Sequence, residues 1–401
     1  MVNVGVRMSL GQFQVPLAVD AGVSNADFGL ILGWHNLAIG VGALWAAARA
    51  ERWGAASTIA VGAAMLAFAL CLAAWAGDVF FAGVPVVLAV AIGLVAGFAG
   101  AACGLPIVLG LVARAAPAEK RFRFMAFVAS GGAFGQFVTP PYAQLAIDSL
   151  GSSGGLAALA VFAALTVPLT RFLKTQVERP PTSSACDGRH VATLGAALRD
   201  VVFRRLSFGF FVCGFTIALV ASHLDAYRVA CGMPQGSGAV GLAVIGFVNI
   251  VGTLAAGVAG DRCSPHNALG LIYLGRAIAI SAFILAPKTE LTVIAFAAAM
   301  GALWFSSIPL TCGAMADRHG AEAVPRLFGA AILSHQLGAF GGAVLGGFAF
   351  PTVANIEVVW WLAVGLSLCA AVINRMNFNN KTALKTYSEK IFCEKRKIET
   401  Q

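Results

Sequence analysis

Charged side chains are scarce in this chain. Only 11% of its 401 residues are Asp, Glu, Lys or Arg, against 59% hydrophobic, and the mean hydropathy is +0.83. A soluble protein carries about 25% charged residues, so a water-facing surface cannot be built from this composition. That excludes a soluble enzyme and a disordered regulator. Paired cysteines are missing as well. The nine Cys stand singly, mostly inside apolar stretches, with no Cys-x-x-Cys pair and no His/Cys cluster. A disulfide scaffold, a metal site and a cofactor therefore have no foothold. The formal net charge of +9 does not point to nucleic acid, because the basic residues sit in the gaps between apolar runs.

Those runs are what the chain does have. A bilayer core about 30 Å thick needs about 20 apolar residues per helix. Complete spans read as 28–48, 55–76, 83–112, 124–147, 154–172, 206–224, 237–259, 268–286, 291–315, 327–350 and 356–373. Residues before Ala18 supply most of a further span, in which Gly5-Val6-Arg7-Met8-Ser9 resembles the middle of a helix more than its start. The sequence thus predicts an all-α polytopic membrane protein of twelve spans, the first incomplete.

Lys and Arg in short loops favour the cytoplasmic side. With alternating connections, one side collects Arg49, Arg52, Arg114, Lys120, Arg121, Arg123, the stretch from Arg171 to Arg205, Arg262, Arg318, Arg326 and a Lys-rich tail. The other side holds only Arg228 and Lys288. Both termini are accordingly expected in the cytoplasm of a bacterium, with the spans in its inner membrane. No cleavable leader is expected ahead of the first span.

The only long polar interior stretch divides the spans six and six. The expected organisation is a six-helix bundle at 1–174, a cytoplasmic linker at 175–203, a second bundle at 204–375 and a basic tail at 376–401. The halves also resemble each other. Gly104-Leu105-Pro106 precedes Gly132-Ala133-Phe134-Gly135, and Ser307-Ile308-Pro309 precedes Gly338-Ala339-Phe340-Gly341. Glu51-Arg52 and Asp261-Arg262 close the second helix of each half. Six-helix parallel repeats with substrate held between them are a recurring transporter plan.

Gly257-Val258-Ala259-Gly260-Asp261-Arg262 is similar to the loop that follows the second helix in the major facilitator superfamily, and the first half carries a decayed copy at Glu51-Arg52. The stretches Gly209 to Tyr227, Trp304 to Leu310 and Ser334 to Phe340 resemble bacterial members near the monocarboxylate and oxalate/formate carriers. The resemblance implies the major-facilitator fold, alternating access and a gating role for Asp261 and Arg262. A solvated loop turn is the plainer reading of that pair.

Ionisable groups within spans are costly and are functional candidates by default. Arg7 can hold a carboxylate bidentately, or its head can snorkel to an interface. Arg276 reads more readily as a structural cation. His223 and Asp225, near the outer end of the seventh span, can take up and release a proton, or Asp225 can simply orient the helix end. His335 and Gln336, near the midplane, can contact substrate or form an interhelical bond. Gln12, Trp34, His35, Asn36, Gln136, Tyr142, Asn249 and Trp304 complete the polar and aromatic candidates. Among them Trp34, Asn36, Gln136 and Trp304 are the expected substrate contacts beside Arg7, His335 and Gln336. Pro140-Pro141 invites a bend in the fifth span.

The expected function is a secondary carrier, not an enzyme, acting as a monomer on a small organic solute. A monocarboxylate or related anion moved with protons is the leading substrate. A facilitator for drug or lipophilic efflux is one alternative; the Gly-Pro signature of such antiporters is not reproduced at Gly135-Gln136 or Pro140-Pro141. An inactive truncated carrier is another, since the tail after Arg375 shifts abruptly toward Asn and Lys. An intramembrane hydrolase has no persuasive nucleophile and base, Ser130 included.

Overall fold

The computed structural model describes residues 2–23, 25–78, 83–172, 194–232, 238–349 and 353–375. The expected tail lies outside the described residues, as does most of the expected linker. Every regular element among the described residues is helical. That follows from the medium: lipid offers no partner for a backbone N–H or C=O, so each span must satisfy its own.

In the first half, α1 (Val2–Ser9), a 3-10 turn (Leu10–Phe13) and α2 (Gln14–Ala21) succeed one another without a gap. Together they rise about 30 Å, so the first span is longer than the sequence reading allowed. Next come α3 (Asn25–Trp53) and α4 (Ala55–Asp78). The fourth span is composite: α5 (Val84–Leu88), a π-helical stretch (Ala89–Ala96), α6 (Gly97–Ala102) and α7 (Leu105–Ala115). Then α8 (Arg121–Ala164) and α9 (Thr166–Leu169) close the half.

In the second half, α10 (Leu194–Arg199) is a short helix leading into α11 (Val201–Ala230). It continues with α12 (Gly238–Arg262), α13 (Pro265–Leu285), α14 (Glu290–Leu303), α15 (Ser307–His319), α16 (Val324–Ala349) and α17 (Val353–Arg375). Ten stretches are long and apolar enough to cross a bilayer. One of them, 118–169, is divided by Gly151, where φ is 73° and ψ −176°. With that division and the Val2–Ala21 segment, the described residues account for the twelve expected crossings.

Pro140 and Pro141 lie inside α8, whose non-helical dihedrals fall at Gly151, the turn between the fifth and sixth spans. A glycine with positive φ can turn the chain where a prolyl ring only removes a donor. The repeated Gly104-Leu105-Pro106 and Ser307-Ile308-Pro309 motifs mark the points where α6 gives way to α7 and α14 to α15. Each Pro stands in the first turn of the new helix, where its missing N–H costs nothing. The internal repeat is thus a pair of corresponding helix breaks.

Each half has its own apolar core. One joins Val6, Phe13, Phe28, Leu70, Leu88 and Leu159, all from the first half. The other joins Phe210, Leu219, Tyr273, Phe296, Trp304 and Trp360, and extends onto Leu109, Phe122 and Met125 of the first half. Leu30, Phe68, Phe127, Phe247, Ile278 and Leu291 are exposed on the outside, as lipid-facing side chains must be. The halves meet along α3 with α16 and α8 with α12.

Candidate functional site

Small side chains let α1 lie deep in the fold. At Gly5 a Cβ would run into Thr139 and the Gly135 carbonyl of α8, and Asn3 Nδ2 donates to the Gly100 carbonyl of α6 at 2.7 Å. This seating brings Arg7 to the seam between the halves. Its Nη2 donates to Asn36 Oδ1 on α3 at 2.7 Å and, at a longer 3.4 Å, to Gln336 Oε1 on α16. His335 Nδ1 is 2.9 Å from the same Oε1. An amide oxygen only accepts, so both Arg7 and His335 donate to it. Gln336 is buried, and its Nε2 has no partner among the described residues. Four predicted residues, Arg7, Asn36, His335 and Gln336, therefore form one cluster drawn from three helices and both halves. Arg7 has no carboxylate partner among the described residues.

The other predicted substrate contacts lie elsewhere. Trp34 is two residues from Asn36, roughly 200° around the helix, and is 52% exposed on the outer face of α3. Trp304 is fully buried in the second core. Gln136 accepts from Asn249 Nδ2 at 3.3 Å, bridging α8 and α12. The Asn249 Oδ1 accepts from the Phe305 N–H at 3.0 Å, holding the break ahead of α15. On the other side of that break, Arg276 Nη2 donates to the carbonyls of Leu303 at 2.6 Å and Trp304 at 2.9 Å. Arg276 is fully buried and caps the end of α14.

His223 Nε2 is 2.9 Å from the Ala343 carbonyl of α16, and at Gly346 a Cβ would strike its ring. The side chain of Asp225 lies outside the described residues. His35, read from sequence only as a polar lining residue, is 3% exposed with Nδ1 2.7 Å from the Ile92 carbonyl in the π-helical stretch. No sequence signal foretells a π-helix there, so this bond was not legible beforehand.

At one end, four ion pairs among the described residues join the halves. Arg123 Nε lies 2.7 Å from Asp261 Oδ2 as an ion pair, although that oxygen accepts no hydrogen bond among the described residues, and Asp261 Oδ1 accepts from the Phe122 N–H at 3.1 Å. Arg326–Glu51 is 2.7 Å, Arg121–Asp317 3.0 Å and Arg114–Glu322 3.5 Å. Exposed pairs contribute little singly, about 0–1 kcal/mol. The Asp261 carboxylate differs, with a side chain only 1% exposed. Arg262, its predicted partner in gating, points to the surface. This end, here termed the basic end, is shut.

The sequence from residue 1 to 308 matches the model of the Major Facilitator Superfamily. The chain belongs to that superfamily. No curated protein matches it in sequence. Among solved structures of this superfamily fold, it is similar to a variant of the E. coli fucose:proton symporter, with a TM-score of 0.65 and 16% identity over 93% of this chain and 96% of that one. A proton:xylose symporter bound to 6-bromo-6-deoxy-D-glucose aligns with a TM-score of 0.75 and 14% identity, over 94% and 93% of the two chains. At such identities the likeness is one of fold. Two bundles with a polar cluster on their seam are the working parts of a membrane transporter of this superfamily.

Proposed function

We propose that the protein is a secondary carrier for a small organic anion, a monocarboxylate or a close relative, moved together with a proton by alternating access. The observation that carries this reading is the Arg7 cluster. A guanidinium held between the halves and hydrogen-bonded, among the described residues, only to the neutral amides of Asn36 and Gln336 is a fixed charge awaiting an anion. Amides orient it without neutralising it, so a carboxylate arriving there gains a charge-assisted bond in a medium of low dielectric. Members of both halves are recruited at once, which is how one ligand can bias a rocking equilibrium. The Lys and Arg collected at the basic end support a cytoplasmic position for it, in a bacterial inner membrane. The state described is then sealed toward the cytoplasm, and a single chain supplies both halves, so a monomer suffices.

A sugar is the second reading, favoured by the fucose and xylose symport of the two similar structures. Sugars are bound through hydrogen bonds, for which Asn36 and Gln336 are suited, and have no need of an uncompensated cation. Uptake of labelled lactate, fucose and xylose into proteoliposomes, with and without an inward proton gradient, separates the two. The anion reading expects gradient-driven lactate uptake, lost in Arg7→Gln. Uptake of fucose or xylose but not lactate, little changed by Arg7→Gln, would refute it.

A further inference from the structure

The geometry points to His35 as the group that carries the transported proton, an inference that rests on the proton-coupled reading above. A backbone carbonyl can only accept, so the 2.7 Å contact between His35 Nδ1 and the Ile92 carbonyl places a hydrogen on Nδ1. In the neutral ring the lone pair is therefore on Nε2. That atom is buried and has no hydrogen-bond partner among the described residues. A basic nitrogen with its tautomer fixed by one bond and its lone pair left open is a vacant proton site, not a finished interhelical tie.

Its surroundings supply a reason for vacancy and a reason for filling. Arg7 lies within Coulombic reach and opposes a second positive charge next to it. Of the elements packed on α3, α5, the π-helical stretch and α6 bring no titratable side chain. Asp20 is carried by α2, Cys71 and Asp78 by α4, Arg114 by α7, and Arg326 and His335 by α16, the last beside Gln336. Of the charged groups, Arg7 is the one that acts on His35. A carboxylate on Arg7 cancels the opposing charge, and a proton can then bind Nε2, leaving the seam with the net charge it had when empty. Loss of the anion at the opposite face restores the repulsion and expels the proton there. One anion thus travels with one proton. His223 is placed differently, its Nε2 committed to the Ala343 carbonyl. The π-helical stretch that presents the Ile92 carbonyl is a second mark, since such turns recur at functional sites.

Two measurements test this. Histidine-15N spectra of the protein in bilayers, with the His35 signal assigned by its loss in His35→Gln and His35→Asn, report tautomer and charge. The expected signal is a neutral ring protonated on Nδ1 that becomes imidazolium on acidification, more readily with lactate present than without. In proteoliposomes both variants should keep exchange of labelled lactate between the two faces yet lose its accumulation under an acid-outside gradient. A ring protonated on Nε2 alone, a ring neutral throughout, or gradient-driven accumulation surviving in either variant would overturn the assignment. Wild-type protein that neither exchanges nor accumulates lactate would instead sink the anion reading, with the ring spectrum still deciding on His35.

Discussion

Asn249 and Gln136 are hydrogen-bonded across the two halves, Nδ2 donating to Oε1 at 3.3 Å, while the Oδ1 of the same Asn249 accepts from the Phe305 N–H at the break ahead of α15. One buried amide therefore serves a fixed element and a movable seam. The two duties can be separated. Asn249→Ala strands the Phe305 N–H in an apolar interior, at a cost of about 1–3 kcal/mol. Gln136→Leu breaks the longer bond between the halves and leaves Asn249 Nδ2 without that acceptor, but the break stays capped. Thermal unfolding in detergent should show a larger loss of Tm for Asn249→Ala, which strands groups on both sides, than for Gln136→Leu. An equal loss in both would mean that the seam, not the cap, is where this amide stabilises.

Asp261 is the deepest carboxylate of the closed basic end, bound by Arg123 and the Phe122 N–H. Replacing it with Ala removes both contacts. Because Arg123 is 44% exposed, the loss is nearer an exposed pair than a buried one, about 1–2 kcal/mol. That still moves a two-state equilibrium roughly 5- to 30-fold. Spin labels at the exposed Glu119 and Cys263 should report a larger fraction of separated halves in Asp261→Ala. Arg262→Ala, altering a side chain at the surface, should leave the distribution near that of wild type.

The spans were legible because a bilayer demands long apolar runs, and few other structures use them. The breaks were half legible: Gly104-Leu105-Pro106 and Ser307-Ile308-Pro309 stood out as repeats, but only packing shows that Arg276 and Asn249 satisfy the second of them. Arg7, Asn36, His335 and Gln336 could be chosen as polar groups at membrane depth, since each is expensive there. Their convergence could not be read, because Arg7 and Gln336 are 329 positions apart. Trp34 shows the limit of residue type as a guide. Helical rotation turns it away from the seam that Asn36 faces, and the sequence does not say which face of α3 meets the other half.

Gly214 sets how closely α11 and α16 approach. A Cβ there would overlap the His335 carbonyl, and at Gly338 it would overlap the carbonyl of Phe211. The obstruction is backbone in both cases, so no rotamer can relieve it. Gly214→Ala should cost at least the 1–3 kcal/mol typical of overpacking and also displace His335 from Gln336, lowering transport as well as Tm. At Gly131 and Gly365 nothing lies within 4 Å of the added atom. Ala there should be neutral or stabilising by roughly 0.5–1 kcal/mol, the usual helix preference over Gly. If Gly214→Ala behaved like those two, the tight α11–α16 seam would be wrong.

Asp200 offers a pH test outside the membrane. It stands between α10 and α11, accepts from the Val202 N–H at 3.1 Å, and lies 3.1 Å from Arg318 Nε and 3.3 Å from His319 Nε2. Burial works to raise its pKa, but the Arg318 hydrogen bond, the Val202 N–H and the charges of Arg318 and His319 outweigh it and hold the carboxyl below its usual value of 3.8. A carboxyl with a depressed folded-state pKa contributes stability that is fully present above the unfolded value and disappears as pH falls through the folded one. Tm of the wild type should accordingly be insensitive to this group at neutral pH and fall on acidification below about pH 4. Asp200→Asn, which cannot titrate, should start from a lower Tm at neutral pH and lose less over the acid range, so the two curves converge. Parallel curves would show that Asp200 is not coupled to folding through Arg318, and the tie of this segment to α15 would then have to rest on packing such as the edge-on contact of Phe203, at the start of α11, with His319 at 6.3 Å.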